Sequence, residues 1–117
     1  MDEDELKQRT RRFALRVMAL VESLPKTLVG RAIGNQLVRC GTSVGANYRS
    51  ACRGRSKAEF VAKLGTVEEE ADEAGYWMEL IIEGKLMEAG RVVSLLRDAN
   101  ELAAIMAASR KTMARQR

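Results

Sequence analysis

Between Ser23 and Ala58 the chain carries seven basic residues and no acid: Lys26, Arg31, Arg39, Arg49, Arg53, Arg55 and Lys57. Inside that stretch, "LVRCGTSVGANYRSACRGRS" (37–56) sets four of the arginines among three glycines. Cations beside glycines are the ingredients of phosphate binding. A P-loop needs G-x-x-x-x-G-K-[ST] after a strand, so that backbone N–H groups, a lysine and a hydroxyl converge on phosphates and Mg²⁺. "GTSVGAN" (41–47) has neither the spacing nor the lysine, and that chemistry is set aside.

Other chemistry has little to draw on. There is no histidine, which removes Ser-His-Asp and Cys-His catalysis and the Glu-x-x-His ligands of di-iron bundles. Cys40 and Cys52 fall on one predicted helix, about 18 Å apart in rise, too far to bond to each other. The run Glu68, Glu69, Glu70, Asp72 and Glu73 invites a metal. Glu69, Asp72 and Glu73, however, project away from the apolar stripe, where carboxylates are hydrated or pair with arginines. No cofactor, metal or catalytic residue is expected, because no buried polar cluster can be assembled.

The elements that position these residues read as four helices. Leu6, Phe13, Val17, Leu20, Val21 and Leu24 recur at helical steps from Glu3 to Leu24, and Pro25 ends that segment. From Gly30 to Arg53, Ile33, Leu37, Cys40, Val44, Tyr48 and Ala51 form a second stripe. Its glycines leave open whether the helix is unbroken. "SKAE" (56–59) is a capping box, and the apolar spacing from Phe60 to Ile82 then runs in near-heptads, with Gly84 as the predicted stop. A fourth segment, Glu88 to Ala114, presents Val92, Leu95, Leu96, Ala99, Leu102, Met106 and Met113 on one face. Residues 1–117 are expected to be a single all-α domain, an antiparallel up-down-up-down four-helix bundle.

Projecting the second segment at about 100° per residue separates three bands. The core stripe is one. Arg31, Arg39, Arg49 and Arg53 lie opposite, with Asn35. Gly34, Gly41, Gly45 and Cys52 lie between, where small residues let another backbone approach. Asn47 sits at the stripe's edge, where a buried amide can fix register. The arginine band has three open readings: a solvated face, ion pairing to the acidic third helix, or phosphate contact.

Charge is segregated along the chain. Residues 59–88 hold nine acids and two bases, while residues 89–117 hold six bases and two acids. Such asymmetry suits adjacent complementary helices, opposite faces that meet between subunits, or a polyanion partner. No apolar run is long enough to span a membrane. The acidic opening and the two cysteines are read as cytoplasmic. On the third helix Tyr76, Trp77 and Leu80 miss the main stripe, so this helix is apolar on more than one side. Self-association follows as an expectation, without a subunit number.

The stretch "SVGANYRSACRGRSKAEFVAKLGTVEEEADEAGYWMEL" (43–80) resembles the signature of a four-helix-bundle family associated with intervening sequences in bacterial 23S ribosomal RNA genes. That family reads S-x-P-A-N-I-A-E-G, then R-S-x-x-E-F. Ser43, Ala46, Asn47, Arg55, Ser56, Glu59 and Phe60 match, whereas Gly45 replaces the usual proline and Ser50 and Ala51 replace Glu-Gly. The likeness extends roughly from Leu6 to Ala108. It implies a bundle that assembles into a homopentameric ring. Related accessory proteins of diversity-generating retroelements bind nucleic acid and a reverse transcriptase through a basic pentamer.

Two functional readings follow. In one, the protein is a non-catalytic oligomeric scaffold or interaction module, with Gly34, Gly41, Gly45, Asn47, Tyr76, Trp77 and Leu80 serving packing or assembly. In the other, it is an RNA- or DNA-binding accessory whose Arg31, Arg39, Arg49, Arg53, Arg55 and Lys57 hold phosphates. The first has most of these arginines paired with acids; the second leaves them free on one surface.

Overall fold

A computed structural model describes residues 1–116 and shows four α-helices, with no strand among the described residues. They are α1 (Glu3–Glu22), α2 (Leu28–Cys52), α3 (Lys57–Glu83) and α4 (Val93–Arg115), with a short 3₁₀ turn, Ala89–Arg91, before the last.

Each start has a local cause. Asp2 Oδ1 accepts the Glu5 N–H at 2.8 Å, and Glu3, Asp4 and Glu5 place negative charge at the positive end of the α1 dipole. The Glu5 N–H also holds the Asp2 carboxyl below its ordinary pKa. Thr27 caps α2 through Gly30 N–H, two residues earlier than the apolar pattern suggests. Ser56 Oγ accepts the Glu59 N–H at 3.1 Å, and Glu59 reaches back to the Arg55 N–H rather than to that of Ser56. Despite its glycines, α2 runs unbroken for 25 residues.

Helix α3 stops at Gly84 as the sequence reading has it, but the closing geometry is different. That glycine keeps a right-handed φ of −80°, and the left-handed position falls one residue later, on Lys85 with φ 56°. Leu86 N–H bonds Ile81 O and Lys85 N–H bonds Ile82 O, which is a Schellman closure. Helix α4 starts at Val93, later than the apolar pattern suggests, because the 3₁₀ turn occupies 89–91.

The helices pack as a bundle about 50 × 20 × 20 Å in extent. Helix α2 lies against α1 and α3, α4 lies against α3, and α1 meets α4 over a much shorter stretch. Contacts descend one helix as they ascend the next: Gly34, Gly41 and Gly45 meet Val21, Val17 and Thr10. Likewise Arg39 meets Glu73, and Ser50 meets Lys63. The core is mainly aliphatic, with Phe13, Leu37, Leu64, Met78, Ile81, Leu102 and Met106 fully buried. Ile33, Phe60, Ile82 and Leu96 flank it half-buried.

The short α1–α4 seam is closed by charge. Arg9 donates from Nε and Nη2 to Asp98 Oδ1, at 3.1 and 2.6 Å, and also to Glu101. Asp98 is the main reason the Arg9 guanidinium is held above its usual pKa. Arg16 adds a hydrogen bond to Ser94.

Candidate nucleic-acid interface

The glycine band of α2 faces α1. A Cβ on Gly41 would meet both Val17 methyls, and one on Gly45 would stand 3.3 Å from Thr10 Oγ1. Because Gly45 has no side chain, and Ala14, Thr42 and Ala46 beside it are small, the α1–α2 seam is a trough rather than a ridge. The trough is a half-open cleft of about 610 Å³.

Its rims are cationic. Lys7 and Arg11, one turn apart on α1, face Arg49 and Arg53, one turn apart on α2, and no acid lines the cleft. Thr10 is buried and turns its hydroxyl inward, donating to Lys7 O; Thr42 does the same to Val38 O. The floor is therefore small and nearly inert, and the charge stands on the edges. Lys7 keeps one loose, exposed contact with Glu3 at 3.6 Å. Among the described residues Arg11, Arg49 and Arg53 make no ion pair.

The six basic residues singled out in the sequence do not stay together. Arg49 and Arg53 enter the cleft. Arg31 lies toward the opposite end of α2, beside Pro25 and Lys26. Arg55 and Lys57 are exposed at the α2–α3 connection, without ion partners among the described residues. Arg39 departs from the set: its Nη2 donates to Glu73 Oε2 at 2.6 Å and its Nη1 stands 3.7 Å from Glu70 Oε2. The pair with Glu73 raises the pKa of its guanidinium. The helical projection placed Arg39 with the others, but its angle leans toward α3, and a long side chain reaches the acids there.

Lys7 and Arg11 were missed by reading the sequence. Residues 1–22 balance in charge because four acids crowd Asp2–Glu5, and that balance hides two cations at i, i+4 flanking Thr10 and Ala14. Their spacing puts both on one side of α1, but only the packing of Thr10 on Gly45 turns that side toward Arg49 and Arg53.

The remaining singled-out residues lie elsewhere. Gly34 packs on Val21 of α1 and on Leu24 just beyond its end. Asn47 is half-buried and donates to Ser43 O at 2.9 Å, a bond within its own helix. Tyr76 is exposed and Trp77 half-buried, with their rings edge-on at 5.1 Å; Leu80 is half-buried. Burial pushes the Cys40 thiol up to about 12, so it stays protonated and unreactive. Among the described residues, no three of Cys, Asp and Glu come together to hold a metal ion. Among the described residues, no helix is long and apolar enough to cross a membrane.

The family described as "23S rRNA-intervening sequence protein" matches residues 2–108. This chain belongs to that family. The crystal structure of a protein of unknown function from the S23 ribosomal protein family, from Bacteroides thetaiotaomicron, has the same fold with a TM-score of 0.87. It is 31% identical, and the match covers 95% of this chain and 99% of that one. No curated protein matches the chain. Nothing in the site or in these likenesses indicates catalysis.

Proposed function

We propose that this member of the family is a non-catalytic, self-associating bundle, its consecutive helices antiparallel, that holds nucleic-acid phosphates in the α1–α2 cleft. One observation carries the reading: four cations and no acid line that cleft, while Arg39 alone of the six predicted cations pairs with the acids of α3. Such a surface contacts phosphates, which position a nucleic acid without reading its sequence. No aromatic side chain lines the cleft, so base stacking contributes nothing there.

The scaffold reading is retained for assembly, where Leu15, Met18 and Tyr76 are large apolar residues left exposed. A homopentameric ring is carried by the family resemblance, and the nucleic-acid binding of the retroelement accessory proteins related to that family supports nucleic acid as the partner. The two unbridged cysteines suit a reducing, cytoplasmic setting.

The test is binding of labelled RNA and DNA across a salt series, with oligomer mass recorded in the same buffers. Four phosphate contacts give a slope of about −3 to −4 in log K against log salt. The Arg49→Glu/Arg53→Glu double variant should lose binding and keep its mass. An intact oligomer that binds neither RNA nor DNA at low salt overturns the proposal.

A further inference from the structure

We infer that the outer face of α1 around Leu15 and the outer face of α3 around Tyr76 are the two halves of a head-to-tail contact between copies of this chain. The inference rests on the self-association reading above and assigns it a surface.

The two faces are alike in what they leave uncovered. On α1, Leu15 is 57% exposed and Met18 45%. Leu15 points half a turn away from the buried stripe of Phe13, Val17 and Leu20, so nothing in its own bundle can reach it. On α3, Tyr76 is 52% exposed, with half-buried Leu80 one turn on. The Tyr76 ring leans edge-on against Trp77, whose Nε1–H is fixed on Glu73 Oε2 at 3.1 Å. An aromatic ring held in place on a surface loses little freedom on docking, which favours it as an anchor.

Their charges are opposite. Arg12 is exposed beside Leu15, without an ion partner among the described residues. Glu69, Asp72 and Glu83 are exposed around Tyr76 and are likewise unpaired. An apolar centre with complementary charge beside it is the arrangement expected of a specific contact between subunits.

The levels along the bundle also agree. Helix α2 serves as a ruler: Val17 and Thr10 of α1 lie at Gly41 and Gly45, while Glu73 and Lys63 of α3 lie at Arg39 and Ser50. On that scale Arg12 stands near the level of Glu69, and Leu15 and Met18 stand within about two turns of Tyr76. When two copies lie side by side with the same ends up, apolar meets apolar and base meets acid.

One molecule cannot make this contact with itself. Both α1 and α3 pack on α2 and on α4, so they occupy diagonal corners and their outer faces look away from each other. A contact joining two different faces is heterologous, and it propagates to a ring or a filament.

The test is mass measurement on the full chain and on the single variants Leu15→Glu and Tyr76→Glu, alone and mixed, with helix content checked by circular dichroism. Both positions are exposed, so both variants should fold. Each variant alone should run as a monomer. An equimolar mixture should give a 1:1 dimer and nothing larger, because each partner supplies the face that the other lacks. A monomeric wild type overturns both this inference and the self-association reading. If the wild type is oligomeric and the variants keep its mass, only this inference falls. Monomeric variants that do not pair when mixed also overturn it.

Discussion

Gly41 lies so close to α1 that a Cβ placed on it would stand 2.7 Å from Val17 Cγ1 and 2.9 Å from Cγ2. Val17 is β-branched and fully buried, so neither methyl can swing aside. In an exposed helix, replacing glycine with alanine gains about 1 kcal/mol. Here the overpacking cost, about 1–3 kcal/mol, outweighs that gain. Gly41→Ala should lower the melting temperature. Gly65→Ala should raise it, by stabilising the protein up to about 1 kcal/mol, since the nearest atom to a Cβ there is the flexible Arg110 Cδ at 3.7 Å. Thermal melts of the two variants give opposite signs if close approach, and not helix propensity, governs α2.

Arg39 and Arg49 sit ten residues apart on one helix and should behave as different kinds of residue. Arg39→Ala removes a half-exposed ion pair to α3 that solvent largely screens, and should leave nucleic-acid affinity unchanged. Arg49→Ala should leave stability unchanged and reduce the salt slope of binding by about one. Paired melts and titrations of the two variants decide the matter; equal loss of affinity in both would place the interface on the whole face of α2 and not in the cleft.

Lys85 occupies the left-handed position that closes α3, with φ 56°. A side chain there costs about 1–2 kcal/mol that glycine does not incur, and Lys85 makes no ion pair among the described residues. Lys85→Gly should therefore stabilise the protein by about 1 kcal/mol. A thermal melt showing no gain would mean that the loop after α3 relaxes freely around either residue.

The periodic stripes made the four helices legible, because each needs only one buried face and the 3.6-residue repeat survives without any knowledge of its neighbours. Ser56 and Glu59 marked the start of α3 for a similarly local reason. The end of α3 was legible in place but not in geometry: Gly84 is the cap, but the left-handed turn falls on Lys85, since the register of the last hydrogen bonds decides which residue becomes left-handed. The cleft was half legible. Arg49 and Arg53 stood out within an acid-free stretch, whereas Lys7 and Arg11 become visible only when Thr10 seats on Gly45 and brings the helices together. The fate of Arg39 depends on which neighbour its guanidinium can reach, a property of the packed bundle and not of the helical wheel.

Glu70 gives the fold a pH dependence of defined sign. Its Oε2 is buried without a hydrogen bond, 3.7 Å from Arg39 Nη1, and burial pushes its carboxyl above the ordinary glutamate value. Glu73 and Glu69 nearby push it further the same way, while Arg39 opposes them. A carboxyl raised in the folded state favours folding most when it is protonated. Its contribution is thus fully present below the unfolded value of about 4.3 and is lost as pH rises through the folded value. Glu70→Gln keeps the shape and removes the charge, so the variant should melt higher than the wild type at pH 7. That advantage should shrink as the pH falls to about 4, where Glu70 itself becomes neutral. Melts of both proteins at the two pH values test this directly. A variant that melts lower at pH 7 would show that the attraction of Arg39 for Glu70 outweighs the burial of its charge.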